Sequence, residues 1–566
     1  MSSASDQFVY KDAMASQGTP NIFLRKEVLS INDNMNGVYS SNSAVLDTSQ
    51  LSNSNKYMDY KNARLIIPLL LTLSSDTANV FAPDTAATAV PYGIGLRNWY
   101  GTICNSIMVE MNGTTLTQQT NMCPIHSTMK LLTTMSWDDI RTQGPTLGFY
   151  PDNALSVGFE ASNSTTGRGT CNTTNALAFP TVTGIDNAYE KSNEGFLRRQ
   201  MYINYDPEGL SGSGGAAFST LLTGTSCNAL YKSYIFNKAN ATSSHGGVYQ
   251  QAATAVVKLA HLSDVFAQLP LLKGVFMKIT LGISNVSVNF STASQVFTVN
   301  SINNPLGGVS PLQIASADSG NGCVSLPDST YTASLCVGNK VLNSTQLQNA
   351  LVQTSPLASG ITLDVDAYTF NPTFEQAYLS QNIKKIEYED IYQFQVNGVS
   401  AGSQFNQLIT NGIANMTSVC VYPFFTSAAN GGIKPIESPF CGDGAGTTSP
   451  LVALTNFNVI VSGSNVLYNN QLYDYQQWVN NLQGWKSVNG GKTDGLNSGL
   501  ISQLDFETSY RFYCVDVGRG LPVEEAVPKS VSIIGKNESA KDIDLIVFIS
   551  YKNRVDIDVI TGARVN

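Results

Sequence analysis

A chain of 566 residues exceeds the size that one hydrophobic core normally supports, so the sequence predicts at least two domains. Only 13% of the residues are charged and the net charge is −9, with no run of lysine or arginine, which argues against specific binding of nucleic acid through its phosphates. The low charge content, with abundant Asn, Ser, Thr and Gly, favours strands and polar loops over a helix-rich fold.

The cysteines and the apolar runs indicate the cellular compartment of the chain and whether it has a membrane segment. Nine cysteines occur singly, without any Cys-x-x-Cys pair, which is typical of small buried thiols in a reducing compartment rather than of a disulfide framework. The first residues lack the apolar core of a signal peptide. The longest apolar run, residues 63–73, is too short to span a bilayer and contains Pro68, so it predicts a buried strand and no transmembrane segment.

The chain divides into an arm and two domains. Residues 1–54 are polar and have no sustained hydrophobic period, so we predict an extended N-terminal arm. A first domain is predicted over residues 55–372, with long loops at about residues 136–252, where apolar runs are scarce. A capping box formed by Thr373 and Gln376 opens a short helix, and we place the second domain at residues 373–566.

A hairpin followed by a helix is predicted twice, at a constant spacing of 350 residues. Residues 106–135 and 456–485 each contain alternating apolar residues, a turn glycine, and apolar residues at helical spacing. The matched positions are Ile107, Val109, Met111, Gly113, Met122, Ile125, Met129 and Leu132 with Phe457, Val459, Val461, Gly463, Leu472, Tyr475, Val479 and Leu482. Coincidence is the alternative, because such hairpins are common in β-proteins. The ungapped spacing favours one fold present twice.

Residues that often carry chemistry are scattered. His126, His245 and His261 lie far apart in the sequence, so they predict structural side chains rather than metal ligands. Residues 490–493 resemble the end of a phosphate-binding loop but lack its earlier glycine, and the glycine-rich residues 211–215 have no following helix.

Two pairs of aspartates could form a cation site or an acid–base site. They are Asp138 with Asp139, and Asp364 with Asp366. The simpler interpretation of the second pair is alternation along the solvent-facing side of a strand. We therefore predict no catalytic residue, no cofactor site, no metal site and no enzymatic activity.

Several segments resemble the double jelly-roll major capsid proteins of icosahedral DNA viruses, in particular those of virophages and polinton-like viruses in the adenovirus-hexon-like lineage. The segments are residues 51–71, 262–283, 383–391 (IKKIEYEDI), 420–425 (CVYPFF), 438–440 and 532–551. They are family-like strings rather than invariant signatures. Residues from about 141 to 250 match nothing in the family.

The resemblance implies an all-β fold of two tandem eight-stranded antiparallel jelly-roll sandwiches, with short helices and long loops. It implies a structural capsid protein that forms homotrimers of pseudo-hexameric outline, and these capsomers tile an icosahedral shell. The implied partners are neighbouring capsomers, a single jelly-roll penton protein and minor capsid proteins. The implied location is the virion, after assembly in the host cytoplasm.

In this scheme the long loops of the first domain form an outward tower, and the N-terminal arm lies beneath the shell. Deletion of residues 1–50 is then expected to leave trimers intact and to impair shell formation. The main alternative is a carbohydrate- or receptor-binding jelly-roll module, such as a fibre head or lectin, because the fold alone does not fix function. A polysaccharide-acting enzyme is a third possibility, which would require a cleft with paired carboxylates.

Overall fold

The structure is a computed structural model of the chain. It describes residues 21–39, 41–75, 93–151, 233–236, 248–293, 296–315, 329–338, 360–430, 432–437, 448–449, 452–468, 473–482, 497–508, 510–518, 526–561 and 563–565.

Strands dominate this part of the chain. They are β1 (Phe23–Asn32), β2 (Ser43–Asp47), β3 (Tyr57–Ser75), β4 (Gly93–Leu96), β5 (Cys104–Met111), β6 (Thr114–Thr117), β7 (Ser233–Phe236), β8 (Val248–Lys258), β9 (Met277–Ile283), β10 (Val286–Ala293), β11 (Val296–Asn303), β12 (Leu312–Ala315), β13 (Ser329–Val337), β14 (Thr362–Phe370), β15 (Ile383–Val399), β16 (Gln404–Ile413), β17 (Met416–Phe425), β18 (Leu454–Val461), β19 (Ser464–Asn465), β20 (Tyr513–Asp516), β21 (Lys529–Asn537) and β22 (Ile543–Asp558).

The helices are short. They are α1 (Ser49–Ser52), α2 (Cys123–Thr134), α3 (Trp137–Leu147), α4 (Leu259–Leu262), α5 (Asp264–Gln268), α6 (Pro372–Leu379), α7 (Tyr475–Asn481) and α8 (Gln503–Thr508). Within the ranges that the structure describes, no helix is long and apolar enough to cross a membrane.

The last eight strands form a jelly roll. One four-stranded sheet has the order β15-β22-β17-β20 and the other has the order β16-β21-β18-β19. When the eight strands are lettered B to I in chain order, these sheets read B-I-D-G and C-H-E-F. This is the strand order of a jelly roll, in which successive strands lie in different sheets except for the hairpin of strands E and F. Every pairing within these two sheets is antiparallel.

The first part of the chain repeats this order. The neighbouring strands β1, β14, β3 and β8 form one sheet in the order B-I-D-G, and β2, β9, β5 and β6 form the other in the order C-H-E-F. The strands β10, β11 and β13 are inserted in the sequence between β9 (strand H) and β14 (strand I). They extend the first sheet, because β13 pairs with the C-terminal end of β3, β10 pairs with β13, and β11 pairs with β10, all antiparallel. The all-β fold of two tandem jelly rolls is therefore confirmed.

The prediction of an extended arm over residues 1–54 is wrong for residues 21–39 and 41–54, which the structure describes. Strand β1 pairs with β14 along its whole length, and β2 pairs with β9, so these segments are strands B and C of the first jelly roll. Strand β1 is an edge strand whose residues are mostly exposed, which is why it has no apolar period. Residues 1–20 lie outside the described residues.

The repeated hairpin and helix occur at both predicted places. Strands β5 and β6 and helix α2 form the first copy, and β18, β19 and α7 form the second. Both turns use two residues with positive φ, Asn112 at 47° with Gly113 at 80°, and Ser462 at 49° with Gly463 at 84°. Positive φ at both central positions is the requirement of a tight hairpin turn.

Most of the predicted helix faces are buried. Met122, Ile125, Met129 and Leu132 are buried in the first copy, as are Val479 and Leu482 in the second, while Tyr475 is half-buried. Leu472 lies outside the described residues. The fully buried Trp478 was not among the predicted core positions.

The predicted loop region at about residues 136–252 contains regular structure at both ends. Helix α3 begins at Trp137, behind a capping box made by Ser136 and Asp139. Residues 248–252 belong to β8 and pair with β3, so the predicted loop extends too far into this strand. Most of the remaining residues of this region lie outside the described part of the chain. The first jelly roll therefore begins before residue 55, because β1 and β2 belong to its sheets, whereas the boundary between residues 372 and 373 stays a prediction.

Candidate functional site

Helix α2 is the element that joins the two jelly rolls. Its sequence allows Pro124 in the first turn, where the missing N–H needs no partner, and Met122 precedes the helix in a left-handed conformation with φ of 58°. One face of the helix buries Ile125 and Met129 in the first jelly roll beside β5. Residues four apart share a helix face, and His126 and Lys130 form the face that meets the second jelly roll.

His126 is fixed by aromatic residues of the second jelly roll. Its Nδ1 atom lies 3.1 Å from the hydroxyl of Tyr422 on β17, and its ring stacks on Phe548 of β22 with centroids 5.2 Å apart. Burial lowers the pKa of His126 well below its usual value, and the nearby positive charge of Lys130 acts in the same direction. The imidazole is therefore a neutral packing group at neutral pH.

Lys130 forms the central ion pair of the junction. Its Nζ atom lies 3.0 Å from Oε2 of Glu389 on β15, with side chains only 16% and 9% exposed. The other carboxylate oxygen of Glu389 accepts a 2.8 Å bond from the Thr417 hydroxyl, and the Glu389 N–H donates to Asp264 on α5 at 2.8 Å. Burial favours the neutral amine, but the carboxylates of Glu389 and Asp264 prevail and raise the pKa of Lys130.

Asp390, the next residue on β15, is a second buried carboxyl group. It accepts hydrogen bonds from the Tyr551 hydroxyl and from the Ile391 N–H, each at 3.0 Å. Burial raises the pKa of Asp390 to about 6, although these donors partly oppose the shift. Near neutral pH the group therefore carries most of its charge, and it takes up a proton more readily than an exposed aspartate.

Further hydrogen bonds close the junction around these charges. The Tyr388 hydroxyl donates to the Leu116 carbonyl at 2.6 Å, and the Thr120 hydroxyl donates to the Ile391 carbonyl at 3.0 Å. The buried guanidinium of Arg97 donates to the Ile436 carbonyl at 3.2 Å. Because each of these bonds connects the first jelly roll to the second, the two are held as one block.

The junction encloses a cavity of about 70 Å³ that is lined by polar groups of α2, α5 and β15. A cavity of this size holds a few water molecules and is smaller than pockets that bind small molecules, which are typically about 300–1,000 Å³. The buried charges around this cavity pair across the two jelly rolls, as Lys130 does with Glu389.

Of the residues considered for chemistry in the sequence, His126 and His261 line the same cavity, and the two aspartate pairs are not among its lining residues. His126 belongs to the junction, and His261 is buried beside Trp99, with ring centroids 6.3 Å apart. Asp139 accepts from the Ser136 N–H and hydroxyl at the start of α3, and Asp138 pairs with Arg141. In the ranges that the structure covers, no three His, Cys, Asp or Glu side chains form a group able to hold a metal.

The second aspartate pair needs a correction. Asp366 is not on a solvent-facing side of its strand: it is 7% exposed and lies 3.0 Å from Lys26 of β1 and 3.7 Å from Arg64 of β3. Asp364 accepts a bond from the Ser30 hydroxyl. Both carboxylates thus fasten the edge strand β1. His245 and residues 211–215 and 490–493 lie outside the described residues.

The strand order and the junction define an all-β double jelly-roll protein whose two domains are joined through buried charges. No protein-family model matches the chain, and no curated protein sequence does.

Solved structures with a similar fold include viral coat proteins. A chain of the Sputnik virophage is 10% identical with a TM-score of 0.49, over 97% of this chain and 89% of the other. The mavirus major capsid protein is 10% identical with a TM-score of 0.42, over 100% of this chain and 94% of the other. The Faustovirus major capsid protein is 10% identical with a TM-score of 0.41, over 95% of this chain and 91% of the other. Similarity at this level does not identify the function of this chain.

Proposed function

We propose that this chain is the major capsid protein of an icosahedral DNA virus of the virophage or polinton-like type. The observation that carries the proposal is the pair of jelly rolls with identical strand order, joined by the buried contacts of Lys130, Glu389 and His126. A block of this kind suits a structural role better than a catalytic one. The sequence segments that resemble double jelly-roll capsid proteins support the same assignment.

The doubled fold has a geometric consequence for assembly. Three copies of a chain with two similar domains present six similar domains around a three-fold axis, so the trimer has a nearly hexagonal outline. Such capsomers pack side by side on a hexagonal net. We propose homotrimers of this kind as the building blocks of the shell, with a single jelly-roll penton protein at the vertices and minor capsid proteins as further partners.

The net negative charge of the chain is compatible with a shell protein that stays soluble before assembly and does not bind the genome tightly. A net charge of −9 keeps the free subunits soluble and disfavours tight binding to the genome. Both basic residues of β1 are in ion pairs, Arg25 with Glu27 and Lys26 with Asp366, and Lys56 also pairs with Glu27. We propose that the protein is made and assembled in the host cytoplasm and resides in the virion.

The mass of the purified protein in solution tests this proposal. We expect light scattering to give about three times the 60.7 kDa of one chain, and negative-stain images of the same peak to show hexagonal particles or shells. A stable monomer that never assembles at high concentration would refute the capsid assignment. The carbohydrate- or receptor-binding module would then be the better proposal, and a glycan array would test it.

A further inference from the structure

Two buried cysteines of the second jelly roll face each other across neighbouring strands. Cys420 on β17 and Cys514 on β20 are direct partners in the antiparallel ladder, and both are fully buried. Their Sγ atoms lie 3.3 Å apart, and the structure contains them as thiols. Of the cysteines in the described ranges, Cys104 and Cys336 face apolar partners across their strands and Cys123 is on a helix.

The backbone geometry already suits a covalent link. Directly opposed residues of antiparallel strands have Cα atoms about 4.5–5.5 Å apart, and disulfides span Cα separations of about 4.4–6.8 Å. Since an S–S bond is about 2.05 Å long, the two sulfur atoms need to approach by little more than 1 Å. Small side-chain rotations are sufficient, so bond formation does not require the strands to separate.

The position of β20 provides access for an oxidant. This strand is only four residues long, lies at the edge of its sheet and pairs with β17 alone. Its other contacts are with segments that pack over it: the Cys514 N–H donates to the Tyr473 hydroxyl at 3.1 Å, and the Asp516 N–H donates to the Asn481 side chain at 3.3 Å. Because an edge strand has one ladder neighbour rather than two, local opening of β20 is the route by which an oxidant would reach the two buried sulfur atoms.

We propose that Cys420 and Cys514 form a disulfide that closes after the chain leaves a reducing compartment and meets an oxidant of the peroxide class. One thiolate attacks a peroxide oxygen to give a sulfenic acid and hydroxide, which takes up a proton to form water. The second thiol attacks the sulfenic sulfur and releases a second water. Two thiols and one hydrogen peroxide thus give one disulfide and two waters, with the cysteines oxidised and the peroxide reduced.

The link would connect strands D and G of the second jelly roll. It spans 94 positions of the chain, so it restricts the unfolded chain strongly and holds the edge strand in place. The site therefore adds stability only outside the reducing interior of a cell. This inference concerns the fold of one chain and does not depend on the proposed capsid function.

The test uses the full-length protein, purified under reducing conditions and then divided. One half receives hydrogen peroxide and the other receives dithiothreitol. Both halves are then denatured in the presence of an alkylating reagent, which blocks free thiols. The protein is digested and the peptides are analysed by mass spectrometry. We expect a peptide pair joined through Cys420 and Cys514 in the peroxide sample alone. We also expect a thermal midpoint higher by several degrees in that sample, reversed by dithiothreitol.

Two matched variants serve as controls. Cys420→Ser should lose the joined peptide and the thermal shift, while Cys336→Ser should keep both. The unmodified chain decides the question even if Cys420→Ser fails to fold. Alkylated Cys420 and Cys514 after peroxide treatment, oxidation of either residue to a sulfinic acid, or pairing of either with a different cysteine would each overturn the proposal.

Discussion

Lys130 and Glu389 show how single residues hold this molecule together. They are 259 positions apart in the sequence, and each would be an unfavourable buried charge without the other. Glu389 is further satisfied by the Thr417 hydroxyl and holds Asp264 through its backbone N–H. The junction is therefore stable because its charges are paired and hydrogen-bonded, and removal of one partner leaves the other unsatisfied.

We expect Lys130→Met to destabilise the protein by about 3 kcal/mol, because the variant leaves the buried carboxylate of Glu389 without its counter-charge. Urea unfolding followed by tryptophan fluorescence measures the change. The double variant Lys130→Met with Glu389→Gln should recover most of the loss, since it removes both charges. Equal stability of the wild type and Lys130→Met would show that the ion pair does not hold the junction.

His126 predicts a pH dependence with a definite sign. Its pKa in the folded protein lies well below the ordinary 6.5 because the ring is buried, so the unfolded chain binds a proton that the folded chain does not. Its contribution to stability is present above about pH 6.5 and is lost as the pH falls. We expect His126→Gln to lose less stability than the wild type between pH 7 and pH 5, measured by urea unfolding at each pH.

Asp390 changes the stability with pH in the opposite direction to His126. The comparison of the wild type with His126→Gln controls for this effect. Its pKa is raised to about 6, so the folded protein binds a proton that the unfolded chain has lost, and stability falls as the pH rises from about 4 to 6. Both the wild type and His126→Gln contain Asp390, so the difference between their curves isolates His126. Parallel curves for the two proteins would contradict the buried, neutral state of this histidine.

At the scale of elements, the two hairpin–helix units have the same strands, turn and helix, but different residues pack beside the helix. The spacing of 350 residues places Trp478 at the position of Thr128. In the first jelly roll the indole of Trp99 reaches this place from another segment and donates a 3.0 Å bond to the Thr128 hydroxyl. A large aromatic side chain thus lies at this helix position in both copies. In the second copy it is Trp478 of the helix itself, and in the first copy it is Trp99 of another segment.

This difference explains what the sequence could and could not predict. The strands, turns and helix faces follow from local periodicity, so Val109 and Gly113 were predicted together with their counterparts. Trp478 was missed because its buried position has no apolar counterpart in the first copy. Strand β1 was missed because an edge strand with exposed faces has no apolar alternation to detect.

Helix α7 gives the prediction at this scale. Leu482, at its C-terminal end, is 3% exposed, so Leu482→Asp replaces a buried apolar group with a carboxylate. The loss of apolar burial costs roughly 2 kcal/mol and the buried charge costs several more, which is a large share of the stability of a domain. We expect little soluble trimer from this variant, measured by size-exclusion chromatography of the soluble fraction.

The control is Gln476→Asp, six residues earlier on the exposed side of the same helix. It adds the same charge where water solvates it, and it should give trimer in the same yield as the wild type. A similar loss for both variants would point to helix propensity or net charge rather than to packing of the helix on its sandwich.

At the scale of the whole molecule, the junction is the part that the sequence did not reveal. Glu389 and Asp390 lie in a segment that resembles the capsid family, but nothing local in it indicates a partner on α2. Contacts between residues more than 250 positions apart depend on how the jelly rolls dock. The fold class could be predicted because its hairpin–helix pattern occurs twice in the sequence. The contact between the two jelly rolls occurs once and has no such repeated pattern.

The position of β1 changes the expected effect of truncation. Deletion of residues 1–50 removes strands B and C of the first jelly roll, and with them the partners of β14 and β9. We expect this variant to be insoluble rather than to form trimers without shells. Expression followed by centrifugation measures the soluble fraction.

Deletion of residues 1–20 is the matched control, because it leaves every described strand in place. It should stay soluble and form trimers. Intact trimers from the longer deletion would contradict the assignment of β1 and β2 to the two sheets, and would restore the interpretation of residues 21–54 as an arm.

The pairing of β1 with β14 also sets the order in which the molecule is completed during synthesis. Phe23 lies opposite Phe370, so β1 waits for about 350 further residues before its neighbour β14 exists. At ribosomal rates of about 5–20 residues per second, this delay is on the order of tens of seconds. Through that interval, Arg25, Lys26 and Glu27 keep an unpaired strand soluble and discourage it from joining a strand of another nascent chain.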